Sequence, residues 1–154
     1  MKPTIPLAAA LALLVACVAA PAGERVLFAA PPAVYTQECA SCHLAYPPGL
    51  LPADSWQRMM DSLPRHFGTD ASLDAATRNT IAAWLAANAG TGKRARGAPP
   101  DDRITRADWF VREHREVPAA AWSRASIRSA SNCADCHDGA ADGRFDEHGV
   151  RIPR

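Results

Sequence analysis

The chain has 154 residues, 17 Lys and Arg against 16 Asp and Glu, a formal net charge of +1, and 48% hydrophobic residues with only 6% aromatic. That length suits one domain or two very small ones, and the balanced charge excludes both a nucleic-acid binder, which needs a basic surplus, and a disordered acidic tail. Alanine inflates the apolar share, so a core built from side chains alone would be thin.

Residues 1–22 read as an export address. Lys2 supplies the positive start, and Leu7 to Ala20 is an uncharged apolar run too short to span a bilayer. Ala20-Pro21-Ala22 is a small-residue cleavage site, and Leu14-Val15-Ala16-Cys17 is a competing lipoprotein box that would lipidate Cys17. Either route predicts a periplasmic location, and no later segment has the length and apolarity of a membrane span. Loss of Lys2 leaves 16 bases against 16 acids, net zero, but unevenly spread. Residues 91–130 are net basic and 131–148 net acidic, two candidate docking faces.

The rest predicts an all-α fold, since no period-2 strand is visible and proline and glycine punctuate short helical stretches. Pro31-Pro32 opens a helix through Val34, Tyr35 and Cys39. Tyr46 to Pro52 is too rich in proline for a helix and must wrap something. Ser55 is a candidate N-cap for a helix carrying Trp56, Met59, Met60 and Leu63 on one face, which Pro64 ends or kinks. Asp74 caps a helix through Asn88, with Gly90 as its stop. Thr105 and Asp108 form a box-like start for a helix through Trp109, Phe110 and His114 to Pro118. Ala119 to about Ser129 predicts another short helix. The organisation expected is an N-terminal lobe over 23–90, a Gly/Pro/basic linker over 91–104 and a C-terminal lobe over 105–154.

Both lobes carry one motif. Cys39-Ala40-Ser41-Cys42-His43 and Cys133-Ala134-Asp135-Cys136-His137 are both C-x-x-C-H, and they hold every cysteine outside the export address. The pattern reads as covalent c-type haem attachment. Two thiols three positions apart share a face of a helical turn and can add to the two vinyl groups of one porphyrin edge. The adjacent histidine then points its imidazole at the iron. Three plainer readings compete. A thioredoxin-like pair needs a βαβ context that is missing. A zinc site seldom spreads its pairs over the 94 positions from Cys39 to Cys133. Structural disulfides suit an exported protein but do not ask for a histidine after each pair.

Two attached haems need sixth ligands. The candidates are His66, His114, His148, Met59 and Met60. His66 lies 23 positions after His43 and His114 lies 23 before His137, so local pairing predicts His43 with His66 and His137 with His114. His148, in a glycine-flanked polar tail, reads as exposed, and the methionines read as packing residues. Tyr35, Tyr46, Trp56, Phe67, Trp109, Phe110 and Trp122 are candidate haem-wall residues, while Trp84 reads as ordinary core. Arg58, Arg65, Arg103 and Arg106 are candidate partners for haem propionates.

The segments Glu38 to His43, Ala45 to Pro52, Ser55-Trp56, Met60, His66-Phe67-Gly68, Trp109-Phe110, His114-Arg115-Glu116, Asn132-Cys133, Cys136-His137 and Arg151 to Arg154 resemble, in order, the small exported dihaem cytochromes c of proteobacteria. The resemblance implies two bis-histidine, low-spin haems c, with Cys39, Cys42, Cys133 and Cys136 as attachment points. It puts His43, His66, His114 and His137 on the irons, and makes the N-terminal part similar to an ordinary cytochrome c. It further implies electron transfer with partners such as an oxygen-binding monohaem cytochrome c and a membrane cytochrome b. The competing function is a small haem enzyme, peroxidase- or oxygen-reductase-like, with one displaceable axial ligand.

Overall fold

The computed structural model describes residues 30–154. The export address at 1–22, Cys17 included, lies outside the described residues. Four α-helices carry the fold: α1 (Ala33–Cys39), α2 (Ala53–Asp61), α3 (Ala75–Ala87) and α4 (Asp108–Glu113). Single 3-10 turns connect them, and among the described residues there is no strand, only isolated bridges at His66–Thr69 and His137–Val150. The all-α expectation therefore holds. No described helix is long and apolar enough to cross a membrane.

The first half folds as its punctuation predicts. Pro32 opens α1 in an extended conformation. Asp74 caps α3 by accepting the backbone N–H groups of Ala76 and Thr77 at 2.9 and 3.0 Å. The Tyr46–Pro52 segment wraps Trp56 and the end of α3, and three hydrogen bonds pin it. The Tyr35 hydroxyl donates to the Tyr46 carbonyl at 2.5 Å, Trp56 Nε1 donates to the Pro48 carbonyl at 2.7 Å, and the Gly90 N–H donates to the Leu51 carbonyl at 2.8 Å. Gly90 has a second role. A Cβ there would stand 2.6 Å from the Gly49 carbonyl oxygen, so only glycine lets the two backbones meet.

Ser55 is not the cap of α2. Extended Pro52 caps the helix three residues earlier, and its carbonyl takes the N–H groups of Ser55 and Trp56. Ser55 is instead fully buried, with its hydroxyl 3.4 Å from Arg58 Nη2. The predicted apolar stripe is present: Trp56, Met60 and Leu63 are buried, and half-buried Met59 packs on the same cluster.

The second half departs further from expectation. Thr105 does not cap α4, because it sits in a 3-10 turn (Ile104–Arg106) and the chain straightens at Ala107 before the helix begins. That helix stops at Glu113, well short of Pro118, with His114 as its C-cap. Only Ala119–Ala121 of the expected Ala119–Ser129 helix forms, as a 3-10 turn. Tertiary bonds divert the remainder. The Arg124 guanidinium donates to the Pro153 carbonyl, Asn132 Nδ2 donates to the Ile127 carbonyl, and Arg128 turns left-handed with φ 65°.

The linker is docked rather than loose. Asp102 receives a two-pronged ion pair from Arg58 of α2 at 2.7 and 2.9 Å, and Asp101 pairs with Arg106. These pairs hold Asp101 and Asp102 at φ 55° and 54°, a region non-glycine residues rarely occupy. One buried cluster runs from Tyr35, Leu51, Trp56, Ile81 and Leu85 to Ile104, Ala107 and Phe110, so the apolar core crosses the linker.

Candidate haem-binding sites

The first pentad begins at the last residue of α1, where Cys39 ends the helix and the chain turns through Ala40. His43 is exposed, and its Nδ1 lies 2.8 Å from the Leu44 carbonyl. A carbonyl can only accept, so in the neutral ring the proton sits on Nδ1 and Nε2 keeps a lone pair for a metal. His66 arrives from α2. It follows the turn Leu63–Arg65 and precedes a left-handed pair, Phe67 at φ 50° and Gly68 at φ 100°. The two imidazoles face each other with ring centres 6.0 Å apart and planes 26° apart. Tyr46 stacks on His43 at 4.9 Å, and Phe67, 47% exposed, lies 4.9 Å from His66. The Arg103 guanidinium sits 4.2 Å above the Phe67 ring.

The second pentad is held by the C-terminal tail. Cys133–Asp135 forms a 3-10 turn, and the His137 N–H closes on the Cys133 carbonyl at 2.8 Å. Arg151 donates its N–H to the Cys136 carbonyl at 2.8 Å, and its side chain pairs with Asp138 at 2.7 Å. His114 stacks on Phe110 at 3.9 Å, and its Nδ1 lies 2.9 Å from the Phe110 carbonyl, which again frees Nε2. His114 and His137 stand 6.1 Å apart, centre to centre, with planes 74° apart. His137 Nδ1 is buried with no hydrogen-bond partner in the structure.

The order of the histidines along the chain thus matches their pairing in space. The spacing also suits a metal. An ion bonded to opposed imidazoles at about 2.0 Å each holds their ring centres roughly 6 Å apart. The four cysteines among the described residues are free. Burial pushes the Cys39 and Cys133 thiols up to about 11, and burial with Asp135 nearby also raises Cys136. These thiols stay protonated at neutral pH. A porphyrin would find free sulfurs, unprotonated Nε2 atoms and an exposed aromatic wall at Phe67, so the residues present fit the group. His148 is exposed, on the rim of a cavity of about 340 Å³ beside His137. Of the propionate candidates, Arg58 and Arg106 are engaged by Asp102 and Asp101.

Burial lowers the pKa of His66, helped by His43 and Arg103. Burial and then His114 lower that of His137, with Asp146 opposing. A depressed histidine pKa means the folded chain binds fewer protons than the unfolded one. The associated stability is present above the ordinary value of 6.5 and is lost as pH falls below it.

Two functional links escape sequence reasoning. The hydroxyl of Tyr46 donates to the Ser131 carbonyl at 2.6 Å, across 85 positions, and Arg103 reaches Phe67 from the linker. No local pattern announces either.

Residues 35–145 match the family model described as dihaem cytochrome c. The fold is similar to that of the diheme cytochrome type c from Shewanella baltica OS155, with TM-score 0.70 and 39% identity over 79% of this chain and 92% of that one. It is also similar to the diheme cytochrome c from Rhodobacter sphaeroides, at 44% identity and TM-score 0.68 over 77% of this chain and all of that one. A second structure from that organism, of the protein in purified form, gives 44% and 0.66. No curated protein matches the chain. With paired pentads, paired imidazoles and a family match over most of its length, the chain belongs to the dihaem cytochrome c family, which implies two covalently bound haem c groups.

Proposed function

We propose that the chain is an exported electron carrier whose two haems are six-coordinate. On this reading Cys39 and Cys42 hold one haem and Cys133 and Cys136 the other, through thioether bonds. His43 with His66, and His137 with His114, ligate the irons. The observation that carries it is the pair of imidazole spacings, 6.0 and 6.1 Å, each the width that a single iron would fill. When bound, each haem supplies an iron that takes up or gives away one electron with no bond made or broken.

The chain's own residues do the rest. Carbonyls of Leu44 and Phe110 keep the proton on Nδ1 of His43 and His114, so each ring presents Nε2. Phe110 and Tyr46 back those rings and limit their rotation. Two imidazoles per iron leave no coordination position for a substrate, which favours a carrier over an enzyme. Residues 1–22 are its export address, with the periplasm as destination. The partners proposed are a monohaem cytochrome c and a membrane cytochrome b. The basic and acidic stretches flanking Ser131 offer complementary docking charge.

Absorption and EPR spectra of the native protein test the reading. Two low-spin haems that form no carbon monoxide adduct when reduced are expected. A high-spin haem or a ready adduct in the folded protein would remove the carrier assignment.

A further inference from the structure

Tyr46 touches the surroundings of both pentads. Its ring lies against His43 at 4.9 Å with planes 26° apart. Its hydroxyl donates to the Ser131 carbonyl at 2.6 Å. Cys133 Sγ approaches that same carbonyl oxygen at 3.6 Å. One side chain therefore connects the histidine of the first pentad with the leading cysteine of the second.

Tyr46 is itself held from behind. Its carbonyl accepts the Tyr35 hydroxyl at 2.5 Å, and buried Tyr35 packs on Trp84 of α3 at 4.7 Å. The far end of the link is less regular. The segment before Cys133 is irregular, contains left-handed Arg128, and is exposed at Ser131. Its side-chain hydrogen bonds, Ser129 to Ser131 and Asn132 to Ile127, are local, and apolar packing of Ile127 and Ala130 is what seats it on the rest of the chain.

We propose that Tyr46 is a positioning residue that sets one haem-attachment pentad against the other, through its ring on His43 and its hydroxyl on Ser131. The inference rests on haem attachment at both pentads. A Cys133 sulfur bound in a thioether has no proton to donate, and the Ser131 carbonyl then keeps two donors, the Cys133 N–H at 3.0 Å within its own turn and the Tyr46 hydroxyl at 2.6 Å from the other pentad. The Tyr46 hydroxyl is thus the donor that ties this turn to the first pentad, and its role is geometric.

Tyr46→Phe removes the hydroxyl alone, and Tyr46→Leu removes the ring as well. The holoprotein is read in three ways: haem count from the alkaline pyridine spectrum, amide hydrogen exchange, and the iron–iron distance distribution by pulsed EPR of the ferric form. Tyr46→Phe is expected to keep two low-spin haems. Exchange over residues 129–136 should accelerate severalfold with α2 and α3 unchanged, and the distance distribution should broaden. Tyr46→Leu should also alter the EPR signal of the first haem; if that variant does not fold, Tyr46→Phe still decides. Unchanged exchange and distances in Tyr46→Phe would overturn the proposal. The underlying reading is checked separately: a Cys133→Ala/Cys136→Ala double variant should hold one haem, and retention of two would overturn attachment there whatever Tyr46 does.

Discussion

Alanine at His114 is expected to convert one haem from low to high spin and to open it to carbon monoxide, while the other stays six-coordinate. Met59 and Met60 belong to α2, and the one remaining histidine, His148, is exposed in the tail on the cavity beside His137, so it is replaced by alanine in the same variant. The low-spin signal of one haem in two should therefore be lost. His66→Ala tests the other iron in the same way, although Met59 lines the small cavity beside His66 and offers a thioether close by. A methionine ligand would show itself as a raised potential. If His114→Ala stayed low-spin and refused carbon monoxide, and His66→Ala did so with its potential unchanged, His66 and His114 would be ruled out as ligands.

The second large effect is at Phe110. Its ring is 7% exposed, stacks on His114 at 3.9 Å, and packs beside Trp109 and Trp122. Phe110→Ala removes a buried aromatic and leaves a cavity, which typically costs about 3–5 kcal/mol. Small domains are stable by roughly 5–15 kcal/mol, so the loss is a large share of the total. Denaturant unfolding followed at the haem absorbance measures it. His114 would also lose the surface that restrains its ring, so a mixture of spin states at one haem is expected in the folded protein. Phe110→Leu, which keeps apolar bulk, should cost much less. A loss under about 1 kcal/mol for Phe110→Ala would show that a bound porphyrin, not Phe110, supports that side of the core.

What could be read from the sequence was what is local. Cys39 to His43 and Cys133 to His137 are five-residue patterns whose chemistry is complete in themselves. The Asp74 cap needs only its own next three residues, and it forms as read. The histidine pairs were legible because each partner lies 23 positions from its pentad, a span that one short helix and a turn can fold back. Legibility failed where distant segments decide. Thr105 has the right partner at Asp108, yet docking of Asp101 and Asp102 onto Arg106 and Arg58 sets the backbone just before it. The alanines of 119–121 favour helix, but the stretch after them is pulled away by Pro153 and Asn132. Phe110 was recognisable as an apolar position, but not as the platform under His114. That role follows from α4 ending at Glu113, which no residue type signalled.

The angles between the imidazole planes, 26° in one pair and 74° in the other, would give the proposed centres different electronic structures. An imidazole donates π density to the iron d orbital perpendicular to its own plane. Nearly coplanar rings load one member of the dxz, dyz pair and split the two apart. Crossed rings load both and leave them close to degenerate, so the ferric ion keeps strong orbital magnetism. Two chemically identical cofactors on one short chain would then be magnetically unlike, and the state of oxidation of each could be followed at its own EPR signal.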